Sequence, residues 1–147
     1  MTNSDYQSLL NTTELEKSEF ENMIDILIRK QKAIERLDTA EIQSIVREEF
    51  QQLNRIQGAE KARVSTIGSL GLKAQDLGDA EALAGKLGRD RSATYAALHS
   101  AFRKVHAQVV QLNSITNALL VHSIAFIKQN IRILTDNGNR KLVDKKA

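Results

Sequence analysis

The sequence predicts an all-α protein: an elongated antiparallel bundle of three long helices, with a short helix in the connector between the second and third. Three observations predict it. The chain of 147 residues contains no proline, and without proline nothing forces a long helix to break. Apolar residues recur at intervals of three and four along most of the chain, the spacing of one helical face. Glycine is confined, with six of the seven glycines between Gly58 and Gly88, so interruptions are expected there and rarely elsewhere. The length suits one domain over residues 1–147 with a core of its own.

The first long helix is expected over about residues 13–37. Thr13-x-x-Glu16 has the form of a capping box, and Phe20, Met23, Ile24, Leu27, Ile34 and Leu37 follow at helical spacing. Within LDTAE, Asp38 or Thr39 offers a new N-cap, with Glu41 placed to reach back. The second helix, about 39–70, then carries Ile42, Ile45, Val46, Phe50, Leu53, Ile56, Val64 and Ile67. So short a connection lays the two helices antiparallel. The connector, 71–89, is glycine-bearing. Asp79 is placed to cap a short helix there that stops at Gly88. Asp90 then opens the third long helix, about 90–135, before a basic tail over 136–147. Its seam runs Tyr95, Leu98, Phe102, Val105, Val109, Leu112, Thr116, Leu119, Ser123, Ile127, Asn130, Leu134, and the steps of three and four describe a heptad pattern. Such a helix is about 70 Å long at about 1.5 Å per residue.

Composition excludes several classes. There is no cysteine, hence no disulfide framework or thiolate metal site, which fits a reducing compartment. The start, MTNSDYQSLLNTT, lacks a basic region followed by an apolar run, so no signal peptide is expected. Residues 1–60 carry 12 acids and 7 bases, a balance of −5, and residues 61–147 carry 6 acids and 14 bases, a balance of +8. The bases are scattered and no aromatics interleave with them, which reads as mutually attracting helix faces rather than a nucleic-acid surface. AEALAGKL, Ala80–Leu87, approaches a phosphate-binding loop but has alanine and leucine where glycine and a hydroxyl belong. His99, His106 and His122 fall on one helix without the spacing or carboxylates of a metal site, and read as surface histidines. No constellation for catalysis appears, so no enzyme, cofactor or metal is expected.

One stretch departs from the rest. Between Val105 and Ile127 there is no Asp, Glu, Lys or Arg. The length matches a membrane span. Nine of those residues are polar, however, and no aromatic or basic belt frames them, so insertion is not expected. On a helical wheel Leu120, Ile124, Ile127, Ile131 and Leu134 form a plausible core stripe. A second row, Ile115, Leu119, Phe126 and Ile133, lies about 100–140° away. The first two helices each offer one ordinary stripe. The second row therefore reads as a surface for a partner.

At these residues the chain resembles the FlgN-type flagellar export chaperones. The likeness covers about residues 14–134. It includes the hinge AIERLDTAEIQSIV, then Glu49, Leu53, Arg63, Ile67 and Gly71 within EEFQQLNRIQGAEKARVSTIGSLG, and the segment LNSITNALLVHSIAFIKQNIRIL with Asn113 and Asn117 ahead of the apolar run. The resemblance implies a cytoplasmic chaperone without a cofactor. Its C-terminal helix binds the C-terminal helical segment of hook–filament junction proteins of the FlgK and FlgL kind. It prevents their premature assembly and assists their presentation to the flagellar type III export apparatus. Export-gate or ATPase components are implied as further partners. The substrate surface carried over falls on Asn117, Leu120, Ile124, Phe126, Ile127, Ile131 and Leu134. The wheel and the asparagine pair add Asn113, Ile115, Leu119 and Ile133. No nucleic acid or membrane insertion is expected, and the free protein is expected to be monomeric. A self-associating structural coiled coil or adaptor is the competing reading, and a basic binder of membrane or nucleic acid a third.

Overall fold

The computed structural model describes residues 1–146, with side chains for residues 1–132. Among the described residues the chain is helical and contains no strand. Four α-helices follow in order: α1 over Asn3–Glu35, α2 over Thr39–Ser69, α3 over Ala80–Leu87 and α4 over Arg89–Lys146, with a 3-10 turn at Ala74–Asp76 between α2 and α3.

α1 begins ten residues before the expected start. Its N-cap is Thr2, whose hydroxyl accepts from the Asp5 backbone while the Asp5 carboxylate accepts from Thr2 N–H. That is a capping box with aspartate in place of glutamate. Thr13 and Glu16, the expected box, are instead buried in mid-helix. The Thr13 hydroxyl donates to Leu9 O at 2.9 Å and shares a 3.0 Å hydrogen bond with Tyr95. Glu16 accepts from Arg63 of α2. The first turns of α1 form because they are covered: Leu9 joins Ile67, Leu72, Leu77, Leu83, Leu87 and Tyr95 in an apolar cluster that the connector closes.

The hinge between α1 and α2 is a Schellman turn. Asp38 N–H donates to Ala33 O and Leu37 N–H to Ile34 O, with Leu37 at φ 54°. Asp38 then caps α2 by accepting from Glu41 N–H at 3.1 Å, while the Glu41 carboxylate turns to Arg36. α2 ends in the same motif with Gly71 at φ 66° in the equivalent place, the residue type such a turn favours. Asp79 caps α3, and Gly88 ends it.

Cross-helix pairs fix the directions. Lys30–Glu49 at 2.7 Å, Gln52 to Glu19 O at 2.8 Å, and Arg63 with Glu16 set α2 antiparallel to α1. Tyr6 donating to Arg91 O, Thr13 with Tyr95, and Phe20 against Phe102 set α4 parallel to α1. α1 is the shared helix: α2 and α4 each pack along it, and α3 packs on α4. The central cluster joins Phe20, Met23, Ile26 and Leu27 of α1, Ile45 and Ile56 of α2, and Phe102 of α4.

Candidate partner-binding surface

The lengths of the helices create the exposed segment. α1 has 33 residues and α4 has 58, about 50 Å and about 87 Å at about 1.5 Å per residue. The α1–α4 pairs are offset by 82 to 85 residues, so Ile34 stands level with Thr116 and α1 turns away just beyond. The burial follows this limit. Tyr95, Phe102 and Thr116 are buried, and Leu119, Leu120 and Ser123 are half-buried. From Ile124 to Arg132 every side chain is exposed.

The expected core stripe is therefore not core past the hinge. Ile124, Ile127 and Ile131 are exposed, at 45%, 39% and 58%. The heptad seam continues in the sequence after the helix it would pack on has ended. Ile115 and Phe126, of the second row, are exposed too, and so are Asn113 and Asn117. Ile133 and Leu134 lie outside the residues whose side chains are described. Thr116 is the one fully buried residue among its neighbours, its hydroxyl donating to Asn113 O at 3.0 Å. Members of both apolar rows thus stand uncovered on α4, Ile115 and Phe126 of one and Ile124, Ile127 and Ile131 of the other, while Leu119 and Leu120 keep partial cover. By length and composition alone, the described part of α4 would also suffice to cross a bilayer.

α2 holds a surface that the sequence reading assigned to the core. Ile45, Ile56 and Ile67 are buried, but Val46, Phe50, Leu53 and Val64 are exposed, Phe50 at 64%. Gln52 and Ala59 take core positions instead. The signal was present in the wheel: the four exposed residues lie about 80–140° from Ile45 at about 100° per residue.

A pocket of about 590 Å³ opens where α1, α2 and α4 meet, lined among others by Phe20, Glu60, Arg63, His99, Arg103 and His106. His99 is not a surface histidine. It is buried between Tyr95 and Phe102, ring centroids 6.2 and 6.0 Å away, and its Nδ1 has no hydrogen-bond partner. Burial, with Arg63 and Arg103 nearby, holds its pKa below the usual histidine value. Burial raises the Tyr95 pKa, partly offset by its hydrogen bond with Thr13. Arg63 stacks over Phe102 at 4.8 Å, and His106 meets Phe20 edge-on at 5.1 Å. The Ala80–Leu87 segment is helix α3, not a phosphate loop. No cluster of metal-ligating residues occurs among the described residues.

In comparison with known proteins, a family model described as FlgN protein fits residues 1–143. No curated protein and no solved structure matches the chain.

Proposed function

The chain belongs to the FlgN family of flagellar export chaperones, and from that premise we propose that it is the cytosolic escort of hook–filament junction proteins. Its α4 takes the C-terminal helical segment of the substrate. The observation that supports this reading is the uncovered apolar surface of α4, where Ile115, Val121, Ile124, Phe126 and Ile127 stand exposed on a helix that has outrun its partner. Such a surface suits helix-on-helix binding, with anchors of the substrate spaced i, i+3, i+4, i+7 along it. Asn113 and Asn117, one turn apart and exposed, fix the register by hydrogen bonds, as polar residues do in a coiled-coil seam.

Occupation of the surface keeps the substrate's assembly segment covered, which prevents premature polymerisation and delivers it unassembled to the export apparatus. The action is binding alone, without a cofactor or a chemical step. Isothermal titration of the full chain with the C-terminal segment of a junction protein tests this. Saturable one-to-one binding to a monomer supports it. A stable homodimer by light scattering, or a tighter complex with DNA or liposomes at physiological salt, overturns it.

A further inference from the structure

We propose that the partner's helix also lies in the furrow between α2 and α4, that Val46, Phe50 and Leu53 are its second wall, and that this helix carries acidic flanks. The proposal rests on the escort reading above and deepens it by assigning α2 a role and the partner a charge.

The furrow follows from the packing. α2 and α4 each lie along α1 rather than along each other, which leaves a channel floored by α1. Its head is the pocket between Glu60 and Arg63 of α2 and His99, Arg103 and His106 of α4, with Phe20 beneath. At about 100° per residue, Val46, Leu53 and Val64 lie within about 40° of Glu60, and Phe50 within about 80°. Val46, Leu53 and Val64 therefore face the α4 side, with Phe50 turned further toward solvent on the same flank. The opposite flank of α2 presents Glu48, Gln51, Gln52 and Arg55 around a separate pocket. The exposed large apolar residues of α2 are thus all on one flank, the one that borders the furrow.

α4 supplies the matching wall. By the same count, Val110, Asn117, Val121 and Ile124 continue the direction of His99, Arg103 and His106 to within about 35°. All four are exposed. From Phe102 to Leu120 the furrow is about 30 Å long, room for a helix of about twenty residues.

Charge selects the occupant. Between Arg91 and Arg132, α4 has no Asp or Glu. Arg103 borders the furrow, and Lys128 and Arg132 follow on the same side of α4 beyond its open end; none of them pairs with a carboxylate among the described residues. A second copy of α4 would bring like charge to this rim. A phosphate backbone would leave Phe50, Leu53 and Val121 uncovered. An amphipathic helix with acidic flanks satisfies both the apolar walls and the basic rim.

The chain has no cysteine, so Leu53→Cys or Ile124→Cys carries one environment-sensitive fluorophore. The probe is a synthetic peptide of the C-terminal segment of a junction protein. Its addition should shift both labels. The double variant Phe50→Asp with Leu53→Asp should lose at least about tenfold in affinity, with an unchanged thermal melt. A peptide whose acidic residues are replaced by amides should bind more weakly as well. If Ile124→Asp abolishes binding while the α2 double variant binds like the wild type, the furrow is overturned and the escort reading stands. If the wild type binds no junction-protein segment, the escort reading falls and takes the furrow with it. A dimer that Phe50→Asp with Leu53→Asp dissolves, or anionic vesicles that bind through the same residues, would also overturn the proposal.

Discussion

Leu37 holds the hinge at φ 54°, a left-handed conformation that costs a non-glycine residue about 1–2 kcal/mol. Its backbone N–H and that of Asp38 close the turn onto Ile34 and Ala33, so the conformation is imposed by the cap and not by the side chain, which is 43% exposed. Leu37→Gly should therefore stabilise the fold by up to about 1 kcal/mol once the flexibility of glycine in the unfolded chain is counted. A raised thermal midpoint checks it, and a lowered one would show that the leucine side chain contributes packing there. His99 makes the opposite kind of prediction. Burial depresses its pKa in the fold, while the unfolded residue takes up a proton near about pH 6.5. Unfolding then binds the proton, so stability is full above that pH and declines as pH falls below it. The thermal midpoint should drop between pH 7.5 and 5.5, and drop less in His99→Leu. Every other titratable residue is the same in both proteins, so the difference between the two declines reports His99. Equal declines would remove His99 as the cause.

At the scale of the elements, Glu16 and Arg63 tie α1 to α2 in a nearly dry setting, their side chains 3% and 15% exposed. Removing one partner strands a buried charge, which costs about 3–5 kcal/mol, whereas replacing both with apolar residues is often close to neutral. Arg63→Met should thus destabilise strongly and Glu16→Leu with Arg63→Met should recover most of the loss in urea unfolding. Failure to recover would mean that the stacking of Arg63 on Phe102 carries the stability instead. This pair also shows how far the sequence is legible. The helices, the Asp38 cap and the Gly88 stop are local signals, and local chemistry decides them. Whether Thr13 and Glu16 cap a helix or lie inside one depends on Tyr95 and Arg63, residues far along the chain. The Thr2–Asp5 box is local as well, but it carries aspartate where the capping box usually has glutamate or glutamine. The apolar residues of α2, expected as a single stripe, divide into a buried row and an exposed one, and which of them is core is set by where α1 passes.

For the whole molecule the decisive quantity is the mismatch between a 33-residue α1 and a 58-residue α4. Periodicity along α4 continues past the hinge, so sequence pattern alone extends the core to Leu134, while the burial stops near Ser123. What the pattern could not contain is the offset at which α1 and α4 align. Amide hydrogen exchange should show the boundary directly: protection is expected over Tyr95–Thr116 and should fall away from Ile124 to Arg132, where backbone hydrogen bonds lack tertiary cover. Substitutions on the two sides should then separate stability from surface. Leu27, 1% exposed in the central cluster, should cost about 2–5 kcal/mol when cut to alanine, a shift of several degrees in a domain of this size. Phe126 is 56% exposed, and Phe126→Ala should leave the thermal midpoint within about a degree while weakening capture of the junction-protein segment. A large loss of stability from Phe126→Ala, with strong amide protection beyond Ser123, would mean that a second copy already covers this end of α4. The apolar surface would then belong to self-assembly and not to an escorted substrate.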